Sequence, residues 1–378
     1  MAKQEPELSN NLKQIRLRLG MSQQDLANLV GVSRQTIGGI ESQQYAPSTS
    51  VAIRLAKALG CQVEDLFWID QDITEITAIP TESTPKGKNL RLSLARIKGN
   101  WVAHPLIGNN AFRLEMIPAD GEGVYRDDSD TIKVKLLKDL EQLQHTVVLA
   151  GCTPAISLWA RAAELWHPEL RVHWTFDNSM NALSRLSRGE VHLAGVHLYD
   201  EETKQYNIPF VKSVLGNTPA VVINLGSWEE GLLIQSGNPL AIHTVADLQQ
   251  PGVKIVNREL GSGSRQVLER SLRQEGVDFD SINGFDYIVS GHLAVAQAVL
   301  SNQAVAGVST ASVAAAFGLD FLPLQNSRYD LVILKPYLDE APIQQLLSTL
   351  GHRRVLSQLQ ALGGYDTSQT GEIIAILE

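Results

Sequence analysis

Apolar residues recur at helical spacing through the first 68 residues of the chain. Between Ser22 and Gly31, for example, Leu26, Leu29 and Val30 form the apolar stripe of an amphipathic helix. The same spacing predicts four further helices. We therefore expect an all-α bundle of five helices over residues 8–68, with helices at residues 8–19, 23–30, 34–42, 48–59 and 63–68.

The pattern changes to alternating apolar and polar residues beyond this bundle. Residues 91–97 and 100–105 alternate as strands do, whereas residues 69–88 are polar and contain Thr and Pro. Residues 120–130 are acidic and contain Gly, which predicts a loop. We interpret residues 69–144 as a linker and a small connector that contains strands.

From residue 145 onward strands alternate with helices, which is the pattern of a parallel α/β sheet. Helices are predicted at residues 155–165, 179–188, 292–300, 311–317 and 342–362. Strands are predicted at residues 146–150, 170–176, 191–199, 220–225, 231–235, 253–257, 304–308 and 328–334. Two βα blocks joined by two extended crossings predict an α/β domain of two lobes, with a cleft between them, over residues 145–378.

The turn between the second and third helices carries specific end signals. Ser22 is a favourable N-cap with Asp25 three residues later, Gly31 suits a left-handed helix end, and Ser33 caps the next helix. Two short helices joined in this way place the second helix in the major groove of DNA. An ordinary helical bundle with a short turn is the alternative.

These signals agree with further positions of one sequence pattern, namely Arg18, Gly20, Ser22, Gln23, Leu26, Ala27, Gly31, Val32, Ser33, Arg34, Ile37, Glu41 and Pro47. Over residues 8–67 the chain thereby resembles the phage-repressor-like (XRE) helix-turn-helix family. The resemblance implies a homodimer on double-stranded operator DNA, with half-sites about 34 Å apart.

Five residues are candidates for contacts with DNA. Arg34 suits a forked contact with guanine and Gln35 a bidentate contact with adenine, whereas Thr36 is a weaker candidate. Gln23 is placed for a phosphate or backbone contact, and Ser33 lies at the N-terminus of the recognition helix.

Two observations limit the strength of DNA binding by this head. Gly38 and Gly39 stand where long polar side chains are usual, and each costs a helix about 1 kcal/mol relative to Ala. The whole chain has a net charge of −9, but residues 1–70 hold seven cations and seven acids, so the head is neutral. Affinity then depends on dimerisation, a few placed contacts and DNA shape. A head that no longer binds DNA is the alternative.

Nine segments of the C-terminal region carry a second resemblance: AGCTPAI at 150–156, DNSMNAL at 177–183, RGEVHLAGVHLYDEET at 188–203, YNIPFV at 206–211, GLLIQSGNP at 231–239, VNRELGSGSR at 256–265, GHLAVAQAV at 291–299, GLDFLPLQNSRYDLVI at 318–333 and GYDTSQTGEI at 364–373. They resemble the periplasmic-binding-protein-like domain that follows helix-turn-helix heads or molybdopterin-biosynthesis modules. The resemblance implies a type II two-lobe fold, related to molybdate and tungstate receptors, that senses a small ligand in the cytoplasm.

The residues of the predicted cleft suit an anion. Residues 261–265 follow a strand and open a helix, so unpaired backbone N–H groups and the helix dipole favour negative charge there. Gly263 lies in this turn, Ser262 and Ser264 add hydroxyl donors, and Arg265 adds a forked cation. The alternative is a tight turn that only caps a helix.

Further ligand candidates lie on the other lobe. Thr153, Asn178 and Ser179 occupy strand-to-helix turns, where ligands of open α/β sheets collect. His197 and His292 are candidate hydrogen-bond donors, although a lone histidine is more often a packing residue. Because Thr153 stands where the family usually has Asp, we expect the ligand preference to be changed or lost.

Other classes of protein are disfavoured. Neither a catalytic motif nor metal-ligand spacing is present, so we predict no enzyme, no metal site and no cofactor. Cys61 and Cys152 are far apart, which argues against a disulfide framework and fits a reduced cytoplasm. No run reaches about 18 apolar residues, and the first residues lack an apolar signal core, so neither a membrane span nor export is expected.

The sequence therefore predicts a one-component DNA-binding regulator that is homodimeric and cytoplasmic. Its C-terminal domain is predicted to sense an oxyanion such as molybdate or tungstate, or a small anionic metabolite. Two alternatives stay open. One is a ligand-blind regulator that uses this domain for dimerisation or protein partners, and the other is an accessory protein of molybdenum-cofactor synthesis.

Overall fold

The computed structural model describes residues 8–69, 74–111 and 116–378. They belong to two compact units, one that ends at Thr74 and one of Glu75–Glu378. The parts of the predictions that fall on residues 1–7, 70–73 and 112–115, including part of the predicted linker, lie outside the described residues. None of the helices in the described ranges combines the length and apolar composition that a bilayer crossing needs.

The first unit contains the five predicted helices and, in addition, two short strands. These elements are β1 Leu8–Asn10, α1 Leu12–Arg18, α2 Gln23–Val30, α3 Arg34–Glu41, α4 Thr49–Leu59, α5 Val63–Leu66 and β2 Phe67–Ile69. The predicted five-helix head is confirmed, but the helices predicted at 8–19 and 63–68 are shorter, because residues 8–10 and 67–69 form β1 and β2, which pair antiparallel.

The helical core and the predicted helix ends agree with the sequence, with one exception. Leu26 is fully buried, and the Ser22 hydroxyl and the Asp25 carboxylate form a reciprocal capping box. Gly31 ends α2 with φ +70°, the left-handed conformation that glycine adopts without strain. Leu29, however, is 62% exposed, because Val30 and the preceding turn already supply the buried face of α2.

Residues 75–136 of the second unit form a closed five-stranded barrel. Its strands are β3 Glu75–Pro80, β4 Asn89–Ile97, β5 Asn100–Pro105, β6 Gly121–Val124 and β7 Ile132–Leu136, in the order β3-β5-β4-β6-β7 with β7 returning to β3. The predicted strands correspond to β4 and β5. The linker prediction is wrong over β3, and the loop prediction is wrong over β6, which pairs with both β4 and β7.

The first lobe of the α/β region follows the barrel and a short helix, α6 Leu140–Leu143. Its elements are β8 Thr146–Gly151, α7 Ala155–Trp166, β9 Arg171–Phe176, α8 Ser179–Arg188, β10 Leu193–Val196, β11 Tyr199–Asp200, β12 Gln205–Tyr206 and α9 Ile208–Leu215. β8 pairs parallel with both β9 and β10. Trp159 and Leu183 are fully buried in the core of this lobe.

A long strand, β13 Ala220–Ile234, then leads into the second lobe. That lobe contains β14 Ile255–Arg258, α10 Gly263–Gln274, β15 Ile288–Val289, α11 His292–Leu300, β16 Ala306–Thr310 and α12 Ala311–Phe317. β14 pairs parallel with β15 and β16. The side chains of Leu232, Ile255 and Leu268 belong to a core separate from that of the first lobe.

The chain returns to the first lobe through a second long strand, β17 Asp320–Leu334. It is followed by α13 Ala341–Ser348, α14 Arg353–Ala361, β18 Tyr365–Asp366 and β19 Ile373–Leu377. β13 and β17 pair antiparallel along their length, so one ten-stranded sheet runs through both lobes. Together with the two separate cores, this arrangement confirms the predicted two-lobe α/β architecture.

The structure corrects several predicted boundaries in this region. The strands predicted at 220–225 and 231–235 are the single strand β13, whose Glu230 is fully buried despite its charge. The helix predicted at 342–362 is two helices, α13 and α14. The strand predicted at 191–199 is limited to Leu193–Val196.

The barrel packs against the first lobe through both polar and apolar contacts. The guanidinium of Arg171 on β9 donates to the buried carboxylate of Asp120 beside β6, at 2.6 Å. His192 Nε2 lies 3.2 Å from the backbone oxygen of Arg96 on β4. Ile97 of the barrel belongs to the hydrophobic core of the first lobe. The barrel and the first lobe therefore share one packed interior.

The two adjacent glycines of α3 differ in their surroundings, and this difference gives a prediction for stability. A Cβ at Gly38 would lie 3.7 Å from Gln23 Nε2, which is ordinary contact, whereas a Cβ at Gly39 would overlap the Tyr45 ring. We expect Gly38→Ala to stabilise α3 by about 0.5–1 kcal/mol. Gly39→Ala should not, because the ring must move and give up its hydrogen bond to the Thr36 carbonyl. Amide hydrogen exchange of α3 in the full chain measures both effects, and equal protection in the two variants would contradict the expectation.

Candidate functional sites

The N-terminal turn of α3 presents the predicted DNA-contact residues. The Ser33 hydroxyl accepts a hydrogen bond from the Thr36 backbone N–H at 3.0 Å and so caps the helix. The Thr36 hydroxyl lies 2.8 Å from the same Ser33 oxygen. Arg34 and Gln35 are exposed at the start of the helix. Arg34 and Gln35, whose side chains can each make two hydrogen bonds to a base, are therefore accessible from solvent.

A chain of polar contacts joins α3 to α1 and α2. The Arg16 guanidinium donates to both carboxylate oxygens of Glu41, at 2.6 and 3.2 Å, and Gln23 Nε2 donates to Glu41 Oε2 at 2.8 Å. Gln23 Oε1 in turn accepts from Arg34 Nε at 3.4 Å. Burial opposes ionisation of Glu41, but the hydrogen bonds from Arg16 and Gln23 outweigh it and lower its pKa. An ionised, nearly buried carboxylate thus holds the three helices in register.

In the second unit the predicted turns of the two lobes meet directly. The Asn178 amide donates to the Leu260 carbonyl at 3.3 Å, and the Met180 N–H donates to the Gly261 carbonyl at 3.4 Å. Gly263 packs so closely against the His197 carbonyl that a Cβ would overlap it. The turns that the sequence singled out on opposite lobes are therefore in contact.

Most of the predicted ligand side chains have partners within the protein. Thr153 Oγ1 lies 2.8 Å from the Tyr365 hydroxyl, and the Asn178 side chain caps α8 by accepting from the Asn181 N–H. Ser179 Oγ lies 3.2 Å from His197 Nδ1. A ligand that binds these side chains would therefore have to replace their present hydrogen bonds or add further ones.

Two further predicted residues, on the second lobe, are paired with acids. Ser264 donates to Glu230 Oε1 at 2.5 Å. Arg265 Nε donates to Glu269 Oε1 at 2.7 Å, and its guanidinium lies over the Phe285 ring. The charge of Arg265 is therefore balanced within its own helix.

Sequence reasoning missed the buried polar cluster at the contact between the lobes. Cys152 Sγ lies 3.6 Å from His197 Nδ1, and Glu230 Oε1 lies 3.5 Å from His197 Nε2. His292 Nδ1 lies 3.1 Å from Ser309 Oγ. Cys152 and His197 follow strands, Glu230 and Ser309 lie within strands, and His292 begins a helix. The two histidines are candidates from the sequence, but no local pattern links them to Cys152 or Glu230.

Burial and neighbouring charges determine the ionisation of this cluster. Burial disfavours the imidazolium of His197, but Cys152 and Glu230 outweigh it and raise the pKa to about 10. Burial likewise opposes ionisation of Glu230, and His197 reverses this effect and lowers the carboxyl pKa. Burial, with additional repulsion from Arg258 and His197, holds the pKa of His292 well below its ordinary value. His292 is thus a neutral imidazole beside a buried ion pair.

Several buried nitrogen and oxygen atoms near the start of α10 and α11 have no hydrogen-bond partner among the described residues. They are Arg258 Nη1, Ser262 Oγ and His292 Nε2. The rest of the Arg258 guanidinium is paired with Glu259, through contacts of 2.8 and 2.9 Å. Because buried polar atoms are nearly always paired, unpaired atoms at the β14–α10 turn and at the start of α11 mark places for a ligand, an ion or water.

A cavity of about 530 Å³ opens beside the cluster. Cys152 and His292 line it from opposite lobes. Trp174, Phe176 and Arg161 also line it. Its size suits a small molecule. The buried cluster therefore has a route to solvent.

Comparison with known proteins assigns both units. Residues 160–351 match the family described as the PBP superfamily domain, and residues 12–66 match a helix-turn-helix family. Uncharacterized protein YvgK of Bacillus subtilis (strain 168) is 37% identical over 199 residues, which are 53% of this chain and 64% of that protein. The chain thus spans somewhat less than two thirds of the length of this relative.

The first unit has its own relatives. The uncharacterized HTH-type transcriptional regulator YgzD of Bacillus subtilis (strain 168) is 40% identical over 65 residues, which are 17% of this chain and 98% of that protein. Among solved structures, that of a putative phosphate ABC transporter substrate-binding protein with bound phosphate from Clostridium perfringens aligns with a TM-score of 0.45 and 13% identity. The alignment covers 58% of this chain and 98% of that chain.

The predicted resemblances are confirmed for both parts of the chain. The helix-turn-helix match covers the five-helix unit, and the PBP match covers half of the chain and includes most of both lobes. The chain therefore belongs to the PBP superfamily and carries an N-terminal helix-turn-helix domain.

Proposed function

We propose that this protein is a transcriptional regulator that binds operator DNA through its helix-turn-helix domain and a small ligand between the lobes of its PBP domain. The observation that carries the proposal is the combination of two features in one chain. The recognition helix has exposed Arg34 and Gln35 on a helix fixed by Glu41, and the lobes meet around unpaired buried donors. A binding protein of this kind needs no catalytic residue.

The DNA contacts are proposed as follows. Arg34 and Gln35 read base edges, Thr36 and Ser33 lie against the backbone at the helix start, and Gln23 contacts phosphate while it holds Glu41. Because one helix-turn-helix domain supplies few side chains that contact bases, we propose a homodimer that binds two half-sites about 34 Å apart. Dimerisation also supplies the affinity that a neutral head lacks.

The ligand is proposed to be an oxyanion such as molybdate or tungstate, or a small anionic metabolite. The N-terminus of α10 favours negative charge, and Ser262 Oγ and Arg258 Nη1 are unpaired donors at the same turn. Asn178 and His197 contact this turn from the first lobe. We include Thr153 and Ser179 beside them, and Gly263, Ser264 and Arg265 on the second lobe, in the proposed site.

Ligand binding and DNA binding are proposed to be coupled through lobe closure. A ligand shifts the equilibrium between open and closed lobes only by the difference in its affinity for the two states. Because the lobes touch in this structure, ligand release requires the contacts at Asn178, Met180 and Gly263 to separate. Opening or closing would then change the arrangement of the two heads of a dimer.

A ligand-blind regulator is the second candidate, and one observation favours it. The hydroxyls of Thr153 and Ser264 are already paired with Tyr365 and Glu230, so part of the proposed site is satisfied without a ligand. In that case the PBP domain serves dimerisation or contacts with another protein.

The DNA contact is tested with Arg34→Ala. Loss of a bidentate contact with guanine should weaken operator binding by about 1–3 kcal/mol, roughly 5- to 150-fold, and relax specificity at one base pair. Lys57→Ala, which removes an exposed cation from α4, is the matched control. Fluorescence anisotropy with an operator obtained by selection measures both variants. Equal losses in the two variants would show a general charge effect and contradict base readout by Arg34.

The anion site is tested with Ser262→Ala. Removing an unpaired buried hydroxyl should leave the stability of the ligand-free chain unchanged or slightly higher. The full chain is unfolded thermally with molybdate, tungstate, sulfate, phosphate and small carboxylates. An anion at about 100 times its dissociation constant adds about 2.7 kcal/mol of stability.

We expect Ser262→Ala to reduce that ligand-induced rise in melting temperature. Ser271→Ala, a change in the same helix α10 but far from its N-terminus, should leave the rise intact. If the anion raises the melting temperature of Ser262→Ala as much as that of the unmodified chain, the anion binds elsewhere. Identical melting temperatures with every anion would reject the oxyanion and favour the ligand-blind regulator.

A further inference from the structure

We propose that Cys152, His197 and His292 form a binding site for a transition-metal ion of the zinc type, which bridges the two lobes. This inference goes beyond the proposed function and does not depend on the DNA contacts. It shares His197 with the proposed anion site, but metal binding and anion binding are measured separately. It also reverses the expectation from sequence, where the spacing of Cys and His residues showed no metal site. The three residues are far apart in the chain and meet only through the fold.

The geometry of the three side chains is the first argument. Their ligand atoms all lie within 4.8 Å of one another, and all three residues are buried. The distance from Cys152 Sγ to His197 Nδ1 is 3.6 Å. A tetrahedral ion with Zn–S and Zn–N bonds of about 2.3 and 2.0–2.1 Å holds its sulfur and nitrogen ligands about 3.5 Å apart. This pair therefore stands at ligand spacing without rearrangement.

The polar groups that lie beside the histidines are the second argument. A metal-bound histidine usually donates its other N–H to a carboxylate, hydroxyl or carbonyl. Glu230 Oε1 lies 3.5 Å from His197 Nε2, and Ser264 holds that carboxylate at 2.5 Å. Ser309 Oγ lies 3.1 Å from His292 Nδ1, while Nε2 of the same ring has no partner among the described residues. His292 thus has a hydroxyl at Nδ1 and an unpaired Nε2, whereas His197 has the Glu230 carboxylate at ion-pair distance from Nε2 and Cys152 Sγ beside Nδ1.

The donor set indicates the class of ion. One thiolate and two imidazoles suit zinc, cobalt or copper, whereas magnesium and calcium prefer oxygen ligands. The nearby charge of Arg258 does not exclude a cation, because Glu259 pairs with that guanidinium through two contacts. Glu230 adds a further negative charge beside His197.

The position of the site gives the ion a structural effect. Cys152 and His197 follow strands of the first lobe, whereas His292 begins α11 of the second lobe. Cys152 and His292 also line the 530 Å³ cavity, which supplies an entry path and a fourth position for water or a small ligand. An ion at this site would hold the lobes together.

Cobalt(II) titration of the full chain tests the site, because a thiolate bound to cobalt gives a charge-transfer absorption that histidine alone does not. The chain has only two cysteines, so each variant isolates one thiol. Cys61→Ser, in the helix-turn-helix unit, should retain the absorption and bind one equivalent of zinc by elemental analysis. Cys152→Ser should lose the absorption. His292→Gln should weaken metal binding at least about tenfold, and Glu230→Gln by about 10- to 100-fold.

The outcome can be separated from loss of folding and from failure of the proposed function. Circular dichroism of each metal-free variant reports its fold, and Cys61→Ser and His292→Gln keep the test valid if Cys152→Ser does not fold. Absorption that disappears in Cys61→Ser, or that His292→Gln leaves unchanged in strength and affinity, would overturn the proposal. Absence of absorption in the unmodified reduced chain would also overturn it. Operator and anion binding are measured separately, so their failure leaves the cobalt result intact.

Discussion

The antiparallel pairing of β13 with β17 is the constraint on which the second unit depends. Both strands pass through the two separate cores, so they define the lobes and also connect them. The register shifts near Gly226 and near Gly231, which places irregular backbone where the strands pass from one core to the other. Glu230 lies beside the second shift. Glu230, which lies beside His197 at the contact between the lobes, is therefore on a strand that any relative movement of the lobes must bend.

The sequence predicted helix bounds well where capping residues and apolar periodicity agreed. It predicted strand bounds poorly where pairing with distant strands determines how far a strand extends. Helices α8, α11 and α12 have the predicted bounds because their apolar faces and end signals coincide. β13 was predicted as two strands because Gly226 and Glu230 interrupt its apolar run, yet pairing with β17 on one side and β16 on the other continues it. Periodicity identifies the buried face of an element but not which distant residue meets it, so the cluster of Cys152, His197 and His292 could not be predicted.

In the helix-turn-helix unit, too, a buried charged residue connects several elements. A nearly buried carboxylate, Glu41, joins Arg16 and Gln23, and through Gln23 reaches Arg34. This network helps to hold a recognition helix that contains two glycines, because it ties the C-terminal Glu41 and the N-terminal Arg34 of α3 to the other two helices. In the second unit, Glu230 occupies an equivalent position between His197 and Ser264. In both units a buried acid organises the residues that are proposed to act.

The barrel has a mechanical consequence for a regulator of the proposed kind. Its residues Ala95, Ile97 and Val102 are part of the first-lobe core, so separating the barrel from that lobe would expose apolar surface. The barrel and the first lobe therefore form one packed body, and β3, the first strand after the helix-turn-helix unit, belongs to it. Any movement between the two lobes would leave the barrel attached to the first lobe.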